Sequence, residues 1–512
     1  MKVLFRVDAS KNIGTGHVMR CLTLANVLRN HGCKIEFACI QRQGDLILFI
    51  QQQGYRVAII PYKQNGLDNN LTPESIYQND IQKKDSHCFI NKLSVSNKDI
   101  VVVDHYGLDH HWASEIKKTA CRILVIDDLA NRQHICDFLL DQNLHENPSS
   151  RYKNKVDLNC NLFLGPKYAL LRPEFYSERP LLKQVNKRIP HFLVYLGFVD
   201  PKDTTSKIIA AIESLEFEVK VDFVLSELHP NFRELKSKAL ELENIDIHLQ
   251  PADILSILKR VDFVIGAGGS ATWERCCLGI PSILFALTEN QKVLAEELSK
   301  LNTVLYLKEK DVVSVDKIKQ AIIAMVKSEA KRLSFSERSQ ALVDGVGAER
   351  VAAIMMNSLA KDNKPVFLKK LKSTDANMIF EWQHEPDMRK HCRIDAPPEK
   401  KEHELWIKSR VNCQNSVTNI IYHDEQAVGM VRLDKLVNID ALEVSILLTT
   451  QSRGLGIAKI ALNLLLAKYK KNPIRAYINV DNITSQYLFS NLNFVPLDNK
   501  NWWILKSPPR KY

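Results

Sequence analysis

The chain has 512 residues, with 70 Lys and Arg against 59 Asp and Glu for a net charge of +11, and it is 45% hydrophobic and 25% charged. This length exceeds one hydrophobic core and implies about two to four domains. The mild positive charge suits anionic small ligands such as nucleotides or coenzyme A, while no concentrated basic motif marks a nucleic-acid binder and no run of about 18 apolar residues marks a membrane span.

The first residues, MKVLFRVDAS, enter a strand without the apolar run and cleavage site of a signal peptide, so a cytoplasmic protein is expected. Apolar runs at 2–7, 34–40, 57–60, 100–106 and 122–129 read as buried strands. Between them lie amphipathic stretches such as HVMRCLTLANVLRNHG, which Gly32 closes. Near-continuous apolar strands alternating with helices predict a parallel, doubly wound sheet. A polar, proline-bearing break at 175–190 precedes a second strand set at 191–197, 220–225, 245–249, 261–267 and 281–287. After a short linker at 359–367 the pattern changes to α+β: a hairpin over 419–433, a strand at 442–448, a long helix at 454–471, a strand at 474–480, a helix at 483–492 and a strand at 502–507. The expected organisation is a Rossmann-like domain over 1–180, a second over 190–355 and an α+β domain over 366–512. Two Rossmann-like halves facing a cleft form the GT-B arrangement of many sugar-nucleotide enzymes. Eleven scattered cysteines without a C-x-x-C motif favour reduced thiols over disulfides or structural zinc.

The turn after the first strand reads IGTGHVMR. Gly14 and Gly16 permit backbone angles that other residues resist and bring N–H groups toward a ligand at a helix start. Met19 stands where a dinucleotide fingerprint has its third glycine, which argues against NAD. His17, in the first helical turn, is either a general base or a packing histidine. Asp104, His105 and Tyr106 end one apolar strand and Asp127 and Asp128 another, at the edge where α/β clefts open. For the acidic pair, helix capping is the competing role.

In DFVIGAGGSATWERCCLGIPSILFALTENQ (262–291), a strand runs into Gly268, Gly269 and Ser270 and then a helix. Such a turn can hold a diphosphate through backbone amides and one hydroxyl, or can be a glycine-rich packing turn. Glu274, one turn on, can accept hydrogen bonds from ribose hydroxyls, and Asn290 and Gln291 add neutral donors and acceptors. No Walker lysine follows the glycines, so ATP hydrolysis is unsupported.

Together, GTGHVMRCLTLA, VVDHY, VIDD, FLGPKYALLRPEF, GAGGSATWERCCLGIPSI, ENQ and VDGVGAERV resemble the UDP-sugar hydrolase of pseudaminic acid biosynthesis over about residues 1–355. The resemblance implies a GT-B fold related to the lipid II glycosyltransferase. It also implies metal-independent cleavage of UDP-2,4-diacetamido-2,4,6-trideoxy-β-L-altropyranose into UDP and free sugar. The histidine of the glycine turn, here His17, would be the base, with Gly14, Gly16, Tyr106, Gly268, Gly269, Ser270, Glu274, Asn290 and Gln291 around UDP and sugar. One departure is Gly197-Phe198-Val199-Asp200, where the family has Gly-Gly-Ser-Asp.

In the last domain, QSRGLGIA (451–458) fits the R/Q-x-x-G-x-G/A signature, and NITSQYLFSNLNF (482–494) follows. Both resemble the GNAT acetyltransferases, which implies acetyl-CoA as co-substrate, held around Gln451, Arg453, Gly454, Gly456, Ile457 and Asn482. Glu443, on the strand before the signature, is either a base for the substrate ammonium, directly or through water, or a solvent-facing strand residue. Phe489 stands at the usual tyrosine acid and Asn493 at a usual glycine. The combined expectation is a two-activity enzyme acting on a UDP-amino-sugar. The alternative is a GT-B glycosyltransferase whose GNAT domain is a CoA-binding module or acetylates another amine.

Overall fold

A computed structural model of the chain describes residues 1–10, 13–61, 79–179, 189–197, 200, 203–225, 229, 231–241, 244–249, 253–287, 289–308, 314–386, 388–411, 413, 415–436, 439–469, 472–497 and 501–506. Two compact units emerge: Met1–Asn26 with Lys34–Ala348, and Val27–Cys33 with Glu349–Tyr512.

The first unit holds two parallel sheets. One contains β1 (Lys2–Val7), β2 (Lys34–Ile40), β3 (Arg56–Ile60), β4 (Ile100–Asp104), β5 (Arg122–Ile126), β6 (Phe138–Asp141) and β7 (Asn161–Leu164), in the order β3-β2-β1-β4-β5-β6-β7. All five residues of β4 are buried, as a strand covered on both faces requires. The other contains β8 (His191–Tyr195), β9 (Lys220–Leu225), β10 (Ile245–Leu249), β11 (Phe263–Ala267), β12 (Ser282–Phe285) and β13 (Val304–Tyr306), in the order β10-β9-β8-β11-β12-β13. In each sheet the strand order reverses beside the first strand, between β1 and β4 and between β8 and β11. Ligand crevices of open α/β sheets form at such switch points, outside the carboxyl ends of the strands.

Strands β6, β7 and β13, of three or four residues, were not expected from the sequence. The strands expected to run to 106 and 129 are shorter. After β4, Gly107 N–H donates to His105 Nδ1 at 3.0 Å, and after β5, Ala130 N–H donates to Asp127 Oδ2 at 2.9 Å. Those bonds close turns rather than extend ladders.

The helix Gly16–Asn30 is the next element after β1, beyond the glycine turn. It stops where Gly32 adopts φ +82° and Cys33 N–H donates to Leu28 O at 3.2 Å, a left-handed closure that glycine makes at low cost.

The second unit carries a mixed sheet of β14 (Val366–Lys370), β15 (Ser416–His423), β16 (Gln426–Lys435), β17 (Leu442–Leu448), β18 (Ile474–Tyr477), β19 (Phe494–Pro496) and β20 (Trp502–Leu505). Its order is β14-β15-β16-β17-β18-β20-β19, and only β17 and β18 run parallel. Val431, Leu433 and Val444 turn one face of the sheet onto the helix Ile457–Leu466. The β17–β18 ladder spans only Leu442–Ile474 to Val444–Ala476, so Ser445–Leu448 run on without a partner on that side. All eleven cysteines are free thiols. Among the described residues no helix is long and apolar enough to cross a membrane.

Candidate active sites

At the switch point of the first sheet, His17 Nδ1 lies 2.6 Å from Asp104 Oδ1, at the end of β4. A carboxylate only accepts, so this bond places the proton on Nδ1 and leaves Nε2 with the lone pair. Arg20, one turn along the same helix, donates from Nε to Asp104 Oδ2 at 2.6 Å and from Nη2 to Oδ1 at 2.7 Å. Burial raises the Asp104 carboxyl, but Arg20 and His17 outweigh it and hold the group well below the usual carboxylate range. Tyr106 sets its ring edge-on to His17, with centroids 4.7 Å apart, and donates its hydroxyl to Asp128 Oδ1 at 2.8 Å. Burial, then the Asp128 charge, push that phenol far above its ordinary value, so it remains a donor. His17 is thereby fixed in tautomer by Asp104 and in tilt by Tyr106. The acidic pair divides its roles: Asp127 serves the turn and accepts from the buried Tyr152, while Asp128 faces Tyr106 and Arg20.

Gly14 and Gly16 do different work. Gly14 sits at φ +79° and donates to Ser10 O at 2.8 Å, which closes the turn. Gly16 marks where the turn meets the second half: a Cβ there would lie 3.7 Å from Ser270 Oγ, in ordinary contact. The turn bearing His17 and the turn bearing Ser270 therefore face each other across the two halves of the first unit.

The second turn departs from expectation at Gly268. Its N–H donates to Phe285 O at 3.0 Å and is not free for a phosphate. Gly268 is a spacer instead, since a Cβ would lie 3.2 Å from Gln291 O. The N–H groups of Gly269 and Ser270 donate to nothing among the described residues, and the Ser270 hydroxyl makes no cap bond to the helix Ala271–Leu278. Two amides and one hydroxyl are thus presented at a helix start, the arrangement that binds anions. Gln291 Oε1 accepts from Leu287 N–H at 3.0 Å, which leaves its amide nitrogen, near Gly269, as the side chain's remaining donor. The Asn290 side chain, and Phe198 and Val199, lie outside the described residues. Asp200 caps the following helix, accepting from Thr205 N–H at 2.6 Å. Glu274 is half-buried and accepts no hydrogen bond among the described residues. Burial lifts its carboxyl to about 7, against the pull of Arg172 and Arg275.

In the second unit, Gly454 and Gly456 have φ +81° and +82°, and the helix Ile457–Leu466 starts directly after them. The N–H groups of Gly454, Leu455 and Gly456 donate to nothing among the described residues, so the turn offers consecutive donors to a pyrophosphate. Gln451 and Arg453 are exposed beside it. Two expectations are narrowed. The Ile457 side chain is fully buried in the core, so only its backbone can meet a ligand. Asn482 Oδ1 accepts from Ser485 N–H at 3.0 Å and caps the helix Ile483–Ser490. Phe489 is buried and edge-on to Phe494, whereas Tyr487 is 73% exposed. Glu443 Oε1 accepts from Arg393 Nη2 at 2.5 Å, leaving Oε2 as its open atom.

A family model for the acetyltransferase (GNAT) domain matches residues 366–495, and one described as a protein of unknown function (DUF354) matches 190–346. Over 301 residues the chain is 28% identical to the UDP-2,4-diacetamido-2,4,6-trideoxy-β-L-altropyranose hydrolase of Campylobacter jejuni, covering 59% of this chain and 97% of that one. The chain is a homologue of that hydrolase with a GNAT acetyltransferase domain in its C-terminal region. A Methanocaldococcus jannaschii protein, MJ1062, is 24% identical over 524 residues, 98% of this chain and 99% of its own, so both parts align together in one relative. The crystal structure of Acinetobacter baumannii MurG matches 70% of this chain and all of its own at a TM-score of 0.51 and 13% identity, which shows the GT-B fold of the hydrolase-like region.

The GNAT domain implies use of acetyl-CoA, and the open amides at 454–456 fit its pyrophosphate. In the hydrolase-like region, Asp200, Asp203 and His229 bring three potential metal-ligating atoms within 4.8 Å of one another, as do Asp109, His110 and His111. Sequence reasoning missed Arg20 and the tie from Asp104 to His17. The spacing of His17 and Arg20, three residues apart and so on one helical face, was the available signal.

Proposed function

We propose that the hydrolase-like region cleaves UDP-2,4-diacetamido-2,4,6-trideoxy-β-L-altropyranose to UDP and free sugar. The GNAT domain, in this reading, acetylates the 4-amino UDP-sugar precursor with acetyl-CoA, so one chain carries two consecutive steps of pseudaminic acid biosynthesis. The observation that carries the first part is the His17–Asp104 pair facing the open Ser270 turn.

His17 Nε2 takes a proton from water as the water oxygen bonds to the anomeric carbon. The bond from that carbon to the β-phosphate oxygen breaks, and its electron pair leaves with UDP. Asp104 stabilises the charge that the imidazole gains. The Gly269 and Ser270 amides and the Ser270 hydroxyl receive the charge developing on the diphosphate. Glu274 accepts from the ribose hydroxyls, and the Gln291 amide donates nearby.

In the GNAT domain the sugar amine attacks the thioester carbonyl, and coenzyme A leaves as thiolate. The ammonium proton passes to Glu443 Oε2, directly or through water. With Phe489 buried, the thiolate takes its proton from water.

The test is mass spectrometry of products from the full chain with the diacetamido UDP-sugar alone, and with the 4-amino UDP-sugar plus acetyl-CoA. Release of UDP and free sugar without any acceptor supports the hydrolase; UDP release that requires an added acceptor means a glycosyltransferase. Acetylation of the 4-amino UDP-sugar supports the second activity, and its absence rejects it.

A further inference from the structure

One face of the third sheet is built unlike an ordinary solvent face. The register aligns Asp434 with Glu443, Glu443 with Arg475, Arg432 with Ser445, and Tyr477 with Trp502. Alternation along the strands puts all of these on the side opposite the helix Ile457–Leu466. Over this face lies Arg393, its guanidinium 4.4 Å from the Tyr477 ring centroid and 5.0 Å from that of Trp502, pinned by Glu443. Beside it, Arg410 and Arg432 sit 5.6 and 5.7 Å from the Trp406 ring and both pair with Asp434. The Arg475 Nε is buried with no hydrogen-bond partner among the described residues.

Four arginines thus share the face with two carboxylates. Asp434 and Glu443 order the guanidinium groups without neutralising them, and Arg393 keeps 48% of its side chain exposed. Ordered guanidinium forks match phosphate oxygens in pairs. Indole and phenol faces stack on planar rings. The net positive field repels a bare cationic amine such as a lysine side chain or a polyamine. An amine carried on a polyanion meets no such barrier.

We propose that Arg393, Arg410 and Arg432, with Trp406, Tyr477 and Trp502, hold the nucleoside diphosphate end of the acetyl acceptor. The acetyltransferase domain then has its own nucleotide site, separate from the one near Ser270. The proposal rests on the reading that the acceptor is a UDP-linked amine, and it adds how that acceptor is recognised.

Two measurements test it. In kinetics with the full chain, Arg393→Gln raises KM for the UDP-linked amine about tenfold or more and leaves KM for acetyl-CoA unchanged, as expected for loss of one charge-assisted contact. An unchanged acceptor KM, or a shift that falls on acetyl-CoA instead, overturns the proposal. Titration calorimetry with UDP supplies a readout that needs no turnover. The wild-type chain binds two equivalents, Glu274→Ala weakens one of them, and the Arg393→Gln/Arg432→Gln double variant loses the other. A single UDP equivalent on the wild-type chain overturns the nucleotide site. Two equivalents with no acetyl transfer uphold the site and reject the acceptor assigned under Proposed function.

Discussion

His17 Nδ1 and Asp104 Oδ1 are 2.6 Å apart, across 87 residues of sequence. The pair exists because β1, which leads into the His17 helix, and β4, which ends at Asp104, are neighbours in the sheet. It joins the most chemically suggestive residue of the glycine turn to a carboxylate that sets its tautomer.

Asp104→Asn keeps the shape and removes the charge. The amide can present its nitrogen to the ring and reverse the tautomer, so kcat for UDP release should fall by about 10²- to 10⁴-fold. His17→Asn should abolish hydrolysis. Both variants should bind UDP within a few-fold of wild type by calorimetry. Unchanged turnover in either would reject the base assignment.

Glu274 gives a pH signature. Its carboxyl is raised to about 7 by burial, and in the proposed complex the ionised form offers two charged oxygens to the ribose hydroxyls. UDP affinity should therefore increase as pH rises from 6 to 8, and Glu274→Gln should flatten that rise. Because the folded value lies above the unfolded one, ionisation costs the free protein stability at alkaline pH. Glu274→Gln should melt higher than wild type at pH 8 and match it at pH 5. An equal pH slope in wild type and variant would remove Glu274 from the site.

Asp222 on β9 provides an acid-stability test. It is fully buried and accepts from His191 Nε2 and His248 Nε2, each at 2.7 Å, and from Arg260 Nη2 at 2.7 Å. Burial raises the carboxyl, but His191, Arg260 and His248 prevail and hold it well below the ordinary range. Its stabilisation is complete above the unfolded value of about 3.9 and is lost as pH falls through the folded value. Asp222→Asn should cost about 3 kcal/mol at pH 7. That gap should narrow below about pH 4 in thermal melts followed by circular dichroism.

Gly456→Val places a branched side chain at φ +82°, costing about 1–2 kcal/mol of strain, and crowds the open amides. KM for acetyl-CoA should rise about tenfold or more, which is the loss of one charge-assisted contact. UDP release from the diacetamido UDP-sugar should be unaffected, because that site lies in the first unit. A parallel loss of both activities would show that the substitution acts through global folding.

Phe489→Tyr is the substitution sequence logic suggests for restoring an acid. The ring is buried against Phe494, so the substitution puts a hydroxyl into an apolar core and should cost about 1–3 kcal/mol without raising kcat. A gain in coenzyme A release would show that the position faces the thiolate.

The parallel strands were readable because burial on both faces makes them continuous apolar runs, as in β4 and β11. Strands β6, β7, β13 and β19 are three or four residues long and lack enough period to stand apart from loops. The glycine turns were readable because they follow those apolar runs. What each glycine does was not. Gly268 gives its N–H to Phe285 only because β11 pairs with β12. Likewise, Glu443 meets Arg393 from 50 residues away, through a segment with no periodic signal. Local chemistry is written locally, whereas hydrogen-bond partners depend on which strands become neighbours.

The approach of Gly16 to Ser270 has a consequence for how a turnover ends. In the proposed reaction the proton acceptor, His17, hangs from one half of the GT-B pair and the cradle for the departing diphosphate, the Ser270 turn, from the other. Any parting of the halves that frees UDP also withdraws the imidazole from the anomeric carbon. In that reaction release and disarming share one motion, and only a molecule that has enclosed its sugar nucleotide is armed to cleave it.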